Sequence, residues 1–255
     1  MGMRFRKLRN SLIKRYRHLR CKLSGGRRIL ILGDSHAGVF EYIFDNGLLL
    51  PHVINCEIVG GATAYGLNNE ASSTGAFRKF QEGFHRFEHY DVIVVMLGEV
   101  DCSSALWLKA TKENRPAGEY LSHSMQGVRR LVDWIRRQEG KRKLVLAGSI
   151  LPTVKDSQLD NQALEARRKI RVGQRARTDL VLRFNEELRN LAATLDVSYM
   201  DITAPTLDPE TGLVIDDVLV QGRVDHHHSQ SETAAYWVSE LRRVLADCAE
   251  FQAHR

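Results

Sequence analysis

A serine, a histidine and an aspartate in this chain have the types and the order needed for nucleophilic chemistry. Ser35 lies in the segment Gly33-Asp34-Ser35-His36, directly after a short apolar run. Asp225 and His228 lie three residues apart near the other end of the chain. A serine hydroxyl attacks an acyl carbonyl when an imidazole takes its proton and a carboxylate orients that imidazole. The residues therefore predict Ser35 as nucleophile, His228 as general base and Asp225 as its orienting group.

Each of these residues also has a simpler interpretation. Ser35 stands where it could cap the following helix, and Asp34 could do the same. The run from His226 to His228 could bind a metal ion, but adjacent residues rarely point at one ion, and no Cys or acidic cluster completes a zinc site. We therefore expect no metal and no other cofactor, and we interpret His226 and His227 as loop residues.

The elements that would position these side chains alternate along the chain. Apolar, β-branched runs predict five strands, and helical periodicity predicts helices between them. Continuous apolar runs are typical of a parallel sheet that is covered on both faces. The fold class is therefore α/β, a three-layer domain with a five-stranded parallel sheet. The predicted strands are Ile29–Leu32, His52–Val59, Asp91–Leu97, Lys143–Ala147 and Ser198–Ile202.

Small and acidic residues follow several of these strands. Ligands of open parallel sheets bind outside the carboxyl ends of the strands, so residues that follow different strands share one edge. Besides Ser35, this edge should hold a glycine pair and a set of site-lining candidates. The pair is Gly60 and Gly61, and the candidates are Asp34, His36, Gly98, Glu99 and Asp101.

The order of these segments resembles the SGNH/GDSL hydrolase superfamily over roughly residues 27 to 250. That family has Gly-Asp-Ser after the first strand, a glycine after the second, Gly-x-Asn-Asp after the third and Asp-x-x-His before the last helix. Gly33-Asp34-Ser35-His36 is similar to members that handle acyl groups on bacterial surface polysaccharides. The resemblance implies a flavodoxin-like fold and an oxyanion hole formed by the backbone N–H groups of Ser35 and of Gly60 or Gly61. It also implies a serine esterase or acyltransferase for an O-acyl ester, acetyl above all, of a carbohydrate or cell-envelope polysaccharide intermediate.

The third segment departs from the family pattern. Val100 stands where the family has an asparagine that donates to the oxyanion, and a valine side chain cannot donate. Loss of one such donor lowers the rate about 100- to 1000-fold. Either the backbone donors suffice, or Asn68, Asn69 or a protonated Glu99 takes the place of the asparagine. The alternative is a catalytically weak or inactive binding or scaffold protein of polysaccharide biosynthesis.

The basic character of the chain is concentrated at its N-terminus. Residues 1–28 hold eleven of the 37 Lys and Arg residues and no acid, which leaves 26 basic against 31 acidic residues in the remainder. The acidic body argues against nucleic-acid binding. We expect an arm and linker at 1–26 and a hydrolase-like domain at 27–250. The arm has an apolar stripe at Phe5, Leu8, Leu12, Tyr16, Leu19 and Leu23.

A basic amphipathic helix can lie on an anionic membrane surface. We therefore predict that residues 1–24 pack little against the body and contact such a surface, with a solubilising tail or docking on the domain as alternatives. Scattered cysteines and the lack of a secretory signal favour a cytoplasmic location, with peripheral attachment at the inner membrane face as an option. The oligomeric state stays open.

A second basic segment follows the fourth predicted strand. Six of the eleven residues 167–177 are basic. The segment could bind a phosphate, a carboxylated sugar or an acyl carrier, or it could be a solvated helix face.

Overall fold

The structure, a computed structural model, describes residues 13, 15–86, 89–138, 140, 142–159 and 171–253. Its centre is a sheet of five parallel strands in the order β2-β1-β3-β4-β5. All five predicted strands are present, so the predicted fold class is confirmed. The strands are β1 (Arg28–Gly33), β2 (Val53–Ile58), β3 (Val92–Met96), β4 (Lys143–Ala147) and β5 (Ser198–Met200).

Helices cover both faces of this sheet. The continuous apolar strands require this arrangement, since β3 is buried along its whole length. The first helix comprises residues 15–23 and is called α1. The others are α2 (Gly38–Asp45), α3 (Ala76–Arg86), α4 (Leu106–Glu113), α5 (Leu121–Arg136), α6 (Gln174–Thr194), α7 (Thr203–Thr206) and α8 (Gln230–Ala253).

The sheet separates two apolar cores, one on each face. On one face α2 and α8 pack together, with the rings of Phe40 and Trp237 5.3 Å apart. On the other face α3, α5 and α6 contribute residues such as Phe80, Leu131 and Phe184. The helices on both faces hold the strands in place, and the loops that follow the strands therefore start from fixed positions at the carboxyl edge of the sheet.

Helix α1 contacts the body, so the expectation that the arm packs little is wrong for its described residues. The Arg17 guanidinium donates to the carbonyl oxygens of Phe44 and Asp45, and Cys21 is buried. Tyr16, Leu19 and Leu23 remain 61%, 57% and 77% exposed, so an apolar line still faces solvent. Residues 1–12 and 14 of the predicted arm lie outside the described residues. Within the described part of the chain, no helix has both the length and the apolar character of a membrane span.

Two of the described arginines in the second basic segment contact the protein itself. Arg177 is 2% exposed, and its guanidinium donates to the carbonyls of Val154 and Val172. Arg175 pairs with Asp179 one helical turn away. Arg167, Arg168 and Lys169 lie outside the described residues, so the binding interpretation stays a prediction for them.

Candidate active site

Ser35 lies on a sharp turn at the carboxyl end of β1. The turn needs glycine at position 33, because a Cβ there would lie 2.7 Å from the Ala37 Cβ and 2.8 Å from the Met96 carbonyl oxygen. A single turn of 3-10 helix, Ser35–Ala37, follows at once and leads into α2. Ser35 is thereby held at the carboxyl edge in the middle of the sheet, since β1 pairs with both β2 and β3.

Asp34, and not Ser35, caps this turn. The Asp34 Oδ1 accepts the backbone N–H of His36 at 2.9 Å. The capping interpretation of Ser35 is therefore unnecessary, and its hydroxyl is available to another partner. That partner is the Nε2 atom of His227, 3.0 Å from the Ser35 Oγ.

His227 connects Ser35 to Asp225. Its Nδ1 lies 2.8 Å from the Asp225 Oδ1, and the same oxygen accepts the backbone N–H of His227 at 3.0 Å. The Arg223 guanidinium donates to the other carboxylate oxygen of Asp225 at 2.7 Å, and the Thr153 hydroxyl donates to its carbonyl oxygen. The carboxylate thus fixes both the position of the imidazole and the Nδ1–H tautomer, so the Nε2 lone pair faces the hydroxyl.

The structure places His227, and not the predicted His228, beside the Ser35 hydroxyl. His228 is buried, and its imidazole N–H donates to the carbonyl oxygen of Leu151 at 3.0 Å, away from Ser35. Its backbone forms an antiparallel bridge with Leu219, which turns the side chain inward. Burial lowers its pKa to about 4. The spacing of three residues between Asp225 and His228 thus misidentifies the partner of Asp225. The turn at Asp225 is closed by the backbone N–H of His227, two residues on.

The surroundings of His227 favour its neutral form. Burial is the main cause that lowers its pKa, the neighbouring His36 adds to this, and the Asp225 carboxylate opposes both. Burial also acts against ionisation of Asp225, but hydrogen bonds from the His227 N–H and ring, and the charge of Arg223, hold its pKa below the usual value. At neutral pH the pair is therefore a neutral imidazole beside a carboxylate, which is the state that a general base requires.

Three of the site-lining candidates meet beneath the His227 ring. Asp34, His36 and Glu99 are all buried. The His36 Nδ1 lies 2.9 Å from the Asp34 Oδ1, and its Nε2 lies 3.3 Å from the Glu99 Oε2. The His36 ring packs against the His227 ring with 4.6 Å between centroids. These residues thus form a polar support on the buried side of His227.

Asp101 was also predicted to line the site, and its carboxylate has a different role. Both of its oxygens are occupied by the loop after β2. They accept the backbone N–H groups of Ala64 and Tyr65 at 2.8 and 2.9 Å, and the Ser124 hydroxyl donates to one of them at 3.0 Å. Burial raises the pKa of Asp101 to about 6, against the opposing effect of these hydrogen bonds. Asp101 therefore anchors the loop that continues from Gly60 and Gly61.

Comparison with known proteins tests the fold. No protein-family model matches the sequence, and no curated protein matches it. Among solved structures, a GDSL-like lipase from Bacteroides thetaiotaomicron superposes with a TM-score of 0.59 at 14% identity, over 92% of this chain and 98% of the other. The fold is that of the SGNH/GDSL hydrolases. An acetylxylan esterase from Geobacillus stearothermophilus shares this fold with a TM-score of 0.52 at 17% identity, over 84% of this chain and 94% of the other. The acetyl xylan esterase AlAXEase shares it with a TM-score of 0.51 at 12% identity, over 85% of this chain and 98% of the other.

In this GDSL-type fold, backbone donors flank Ser35 at the edge of the sheet. Gly60 and Gly61 form a turn closed by the Ala62 N–H on the Val59 carbonyl, and Gly61 has the positive φ of 72° that favours glycine. Both glycines are exposed, and a Cβ on Gly60 would meet nothing within 4 Å. In the described part of the chain, the N–H groups of Ser35, Gly60 and Gly61 make no hydrogen bond within the protein. These N–H groups are therefore unpaired, as the predicted oxyanion donors need to be.

Of the two asparagines considered as substitutes for the missing side-chain donor, Asn68 is not available. The Asn68 amide donates to the carbonyl oxygens of Tyr65 and His123 at 3.2 and 2.7 Å, so both of its hydrogens are used. Asn69 is exposed, and its side-chain oxygen accepts the Ala71 N–H. Val100 begins the turn that leads into α4, after Gly98, whose φ of 122° and close approach to Phe184 require glycine.

The residue that sequence reasoning missed is His227. Aspartate commonly accepts the backbone N–H two residues further on, and this Asx turn was the available signal. The turn brings Asp225 and His227 together, and the same local geometry brings Asp34 and His36 together in the GDSL-type segment.

Proposed function

We propose that the protein is a serine ester hydrolase or acyltransferase that acts on an O-acyl ester, acetyl above all, of a carbohydrate or a cell-envelope polysaccharide intermediate. The observation that supports the chemistry is the continuous series of contacts from the Ser35 Oγ to the His227 Nε2 and from the His227 Nδ1 to the Asp225 carboxylate. His227 and Asp225 are 192 and 190 residues away from Ser35 in sequence, and the fold brings them into one series with its hydroxyl.

The reaction uses these three groups in turn. The Ser35 Oγ attacks the acyl carbon while the His227 Nε2 takes the hydroxyl proton, and Asp225 stabilises the resulting imidazolium. The tetrahedral intermediate collapses when the imidazolium gives that proton to the departing alkoxide oxygen. The acyl group then remains on Ser35. Water or a second sugar hydroxyl, deprotonated by His227, attacks this acyl-enzyme and restores the free serine.

The oxyanion of this reaction would be stabilised by backbone donors. The unused N–H groups of Ser35 and of Gly60 or Gly61 lie at the carboxyl edges of adjacent strands. Ser35 also opens the 3-10 turn that leads into α2, so its N–H lies at the positive end of these helical turns. Because Val100 adds no donor, we expect slower turnover of simple esters than a GDSL-type site with an asparagine would give.

The substrate class draws on the similar structures. Two of them are acetylxylan esterases, so their named substrates carry acetyl groups on a polysaccharide. The exposed Gly60–Gly61 turn leaves the edge of the sheet beside Ser35 open, as a bulky glycan ester needs. A cytoplasmic location, with the arm on an anionic membrane surface, would bring the enzyme to envelope intermediates.

Labelling and turnover by the purified chain test this proposal. A fluorophosphonate probe should label the wild type and the matched control Ser122→Ala, whose serine is exposed on α5, but not Ser35→Ala. Hydrolysis of 4-nitrophenyl acetate should follow the same pattern, and acetylated xylo-oligosaccharides should be better substrates than long-chain esters. Equal turnover by Ser35→Ala excludes Ser35 as nucleophile. No labelling and no turnover in the wild type would instead support the binding or scaffold alternative.

A further inference from the structure

Two copies of one local motif face each other across the site. In Asp34-Ser35-His36 and in Asp225-His226-His227, the aspartate Oδ1 accepts the N–H of the residue two positions on and contacts the Nδ1 of the same residue. The Nδ1 distances are 2.9 Å for His36 and 2.8 Å for His227. A carboxylate on Nδ1 is the arrangement that orients metal-ligating histidines, because it directs Nε2 toward the ion. The His36 Nε2 lies 3.3 Å from both the Glu99 Oε2 and the His226 carbonyl oxygen, which are acceptors, so an ion there would replace the proton on this nitrogen.

A third imidazole completes the group. The His226 ring packs against the His227 ring with 3.9 Å between centroids, and its centroid lies 5.5 Å from that of His36. Ligand nitrogens of the three histidines all lie within 4.8 Å of one another. The two neighbours His226 and His227 therefore point to the same side, contrary to the expectation that adjacent residues diverge.

The charge around these rings suits a cation. The Glu99 Oε2 lies 3.3 Å from the His36 Nε2, so a carboxylate lies beside one of the three imidazoles and favours a positive charge there. The side chains of His226 and His227 are 34% and 32% exposed, which gives an ion a path from solvent. Zinc binds imidazole nitrogens at about 2.0–2.1 Å, and sites with three protein ligands leave the fourth position to water, so the three rings would have to move closer together around the ion.

We propose that His36, His226 and His227 form a site for a divalent transition-metal ion of the Zn²⁺ class, which inhibits the enzyme reversibly. The ion would take the Nε2 lone pair of His227 in place of the Ser35 hydroxyl. Ser35 then keeps its proton, and no bond to the substrate forms. Imidazole ligands select zinc, copper or nickel over calcium and magnesium, which require oxygen ligands. The inhibition rests on the proposed function, but the binding does not.

Zinc binding by the full chain tests the site directly. Titration of apo-protein with Zn²⁺ against a chromophoric chelator should show one tight site in the wild type and in Ser35→Ala. His226→Ala and His226→Gln should bind about 100-fold more weakly. His85→Ala, which removes an exposed histidine on α3, is the matched control and should bind like the wild type. Equal affinity in every variant, or no binding to the wild type, would overturn the site.

Activity measurements then separate the two proposals. Zn²⁺ should abolish ester hydrolysis by the wild type, and a chelator should restore it, while Mg²⁺ and Ca²⁺ have no effect. Whatever activity His226→Ala has without metal should be insensitive to Zn²⁺ at concentrations that inhibit the wild type. Tight Zn²⁺ binding without inhibition would show that His227 is not a ligand and would overturn the proposed way in which the ion inhibits the enzyme. If no variant hydrolyses esters, the binding titration still decides the metal site, and only the proposed function fails.

Discussion

The two adjacent histidines provide the sharpest test of the site, since one alanine substitution at each position should have opposite consequences. His227→Ala removes the group 3.0 Å from the Ser35 Oγ and leaves the hydroxyl without a base. General-base catalysis contributes about 100- to 10,000-fold, and loss of a triad histidine falls at the upper end of this range. We expect kcat/KM for 4-nitrophenyl acetate to fall by about 1,000-fold or more, equivalent to roughly 4 kcal/mol or more of transition-state stabilisation.

His228→Ala should affect stability instead. The substitution removes a buried ring and leaves the Leu151 carbonyl without its donor at 3.0 Å. A buried polar group left unsatisfied costs about 1–3 kcal/mol. For a chain of this size each kcal/mol lowers Tm by about 2–4 °C, so we expect Tm to fall by roughly 2–12 °C. The folded fraction should keep its activity within about tenfold, because His228 is not part of the catalytic series.

Thermal melts and kinetics on the same preparations distinguish these outcomes. His228→Gln is the conservative control, because its side-chain amide can donate to Leu151 and should recover much of the lost stability. His227→Ala should melt close to the wild type, since its ring is only half-buried. The argument fails if His228→Ala abolishes turnover at a temperature where it is folded, or if His227→Ala keeps more than about a tenth of wild-type activity.

Four further predictions concern the supporting structure and the arm. Gly98→Ala places a Cβ 2.4 Å from the Phe184 ring at a φ of 122°, so urea denaturation should show a loss of about 2–4 kcal/mol; an unchanged midpoint would contradict this. In Asp101→Asn the new amide NH₂ faces one of the two N–H groups, of Ala64 and Tyr65, that the carboxylate accepts. The free energy of unfolding should therefore fall by about 1–3 kcal/mol, and kcat/KM should fall with it. Val100→Asn supplies a side-chain donor and should raise kcat for aryl acetates about tenfold or more; no increase would show that the backbone donors suffice. Leu19→Glu should weaken sedimentation with anionic vesicles more than the control Leu108→Glu on α4, and equal binding by the two would contradict a role for α1.

The sequence by itself determined the sheet and the position of Ser35, the proposed nucleophile. A short, β-branched apolar run is typical of a buried strand of a parallel sheet, so β3 was predictable from Val92–Met96. Gly33 marks the end of β1 because only glycine fits against Ala37 and Met96, and this places Ser35 at the carboxyl edge. Asp225 was paired with Ser35 from its residue type, its histidine neighbours and the resemblance of the Asp-x-x-His segment before the last helix.

Only the tertiary structure decided which histidine serves Ser35. Asp225 and its two candidate partners are neighbours in sequence, so spacing cannot separate them. The choice depends on a turn that returns the His227 N–H to Asp225, and on a bridge from His228 to Leu219. Asp101 is a similar case, because its partners, Ala64 and Tyr65, lie almost forty residues away. Hydrogen bonds between segments that are distant in sequence leave no local pattern, and these bonds determine where each polar side chain points.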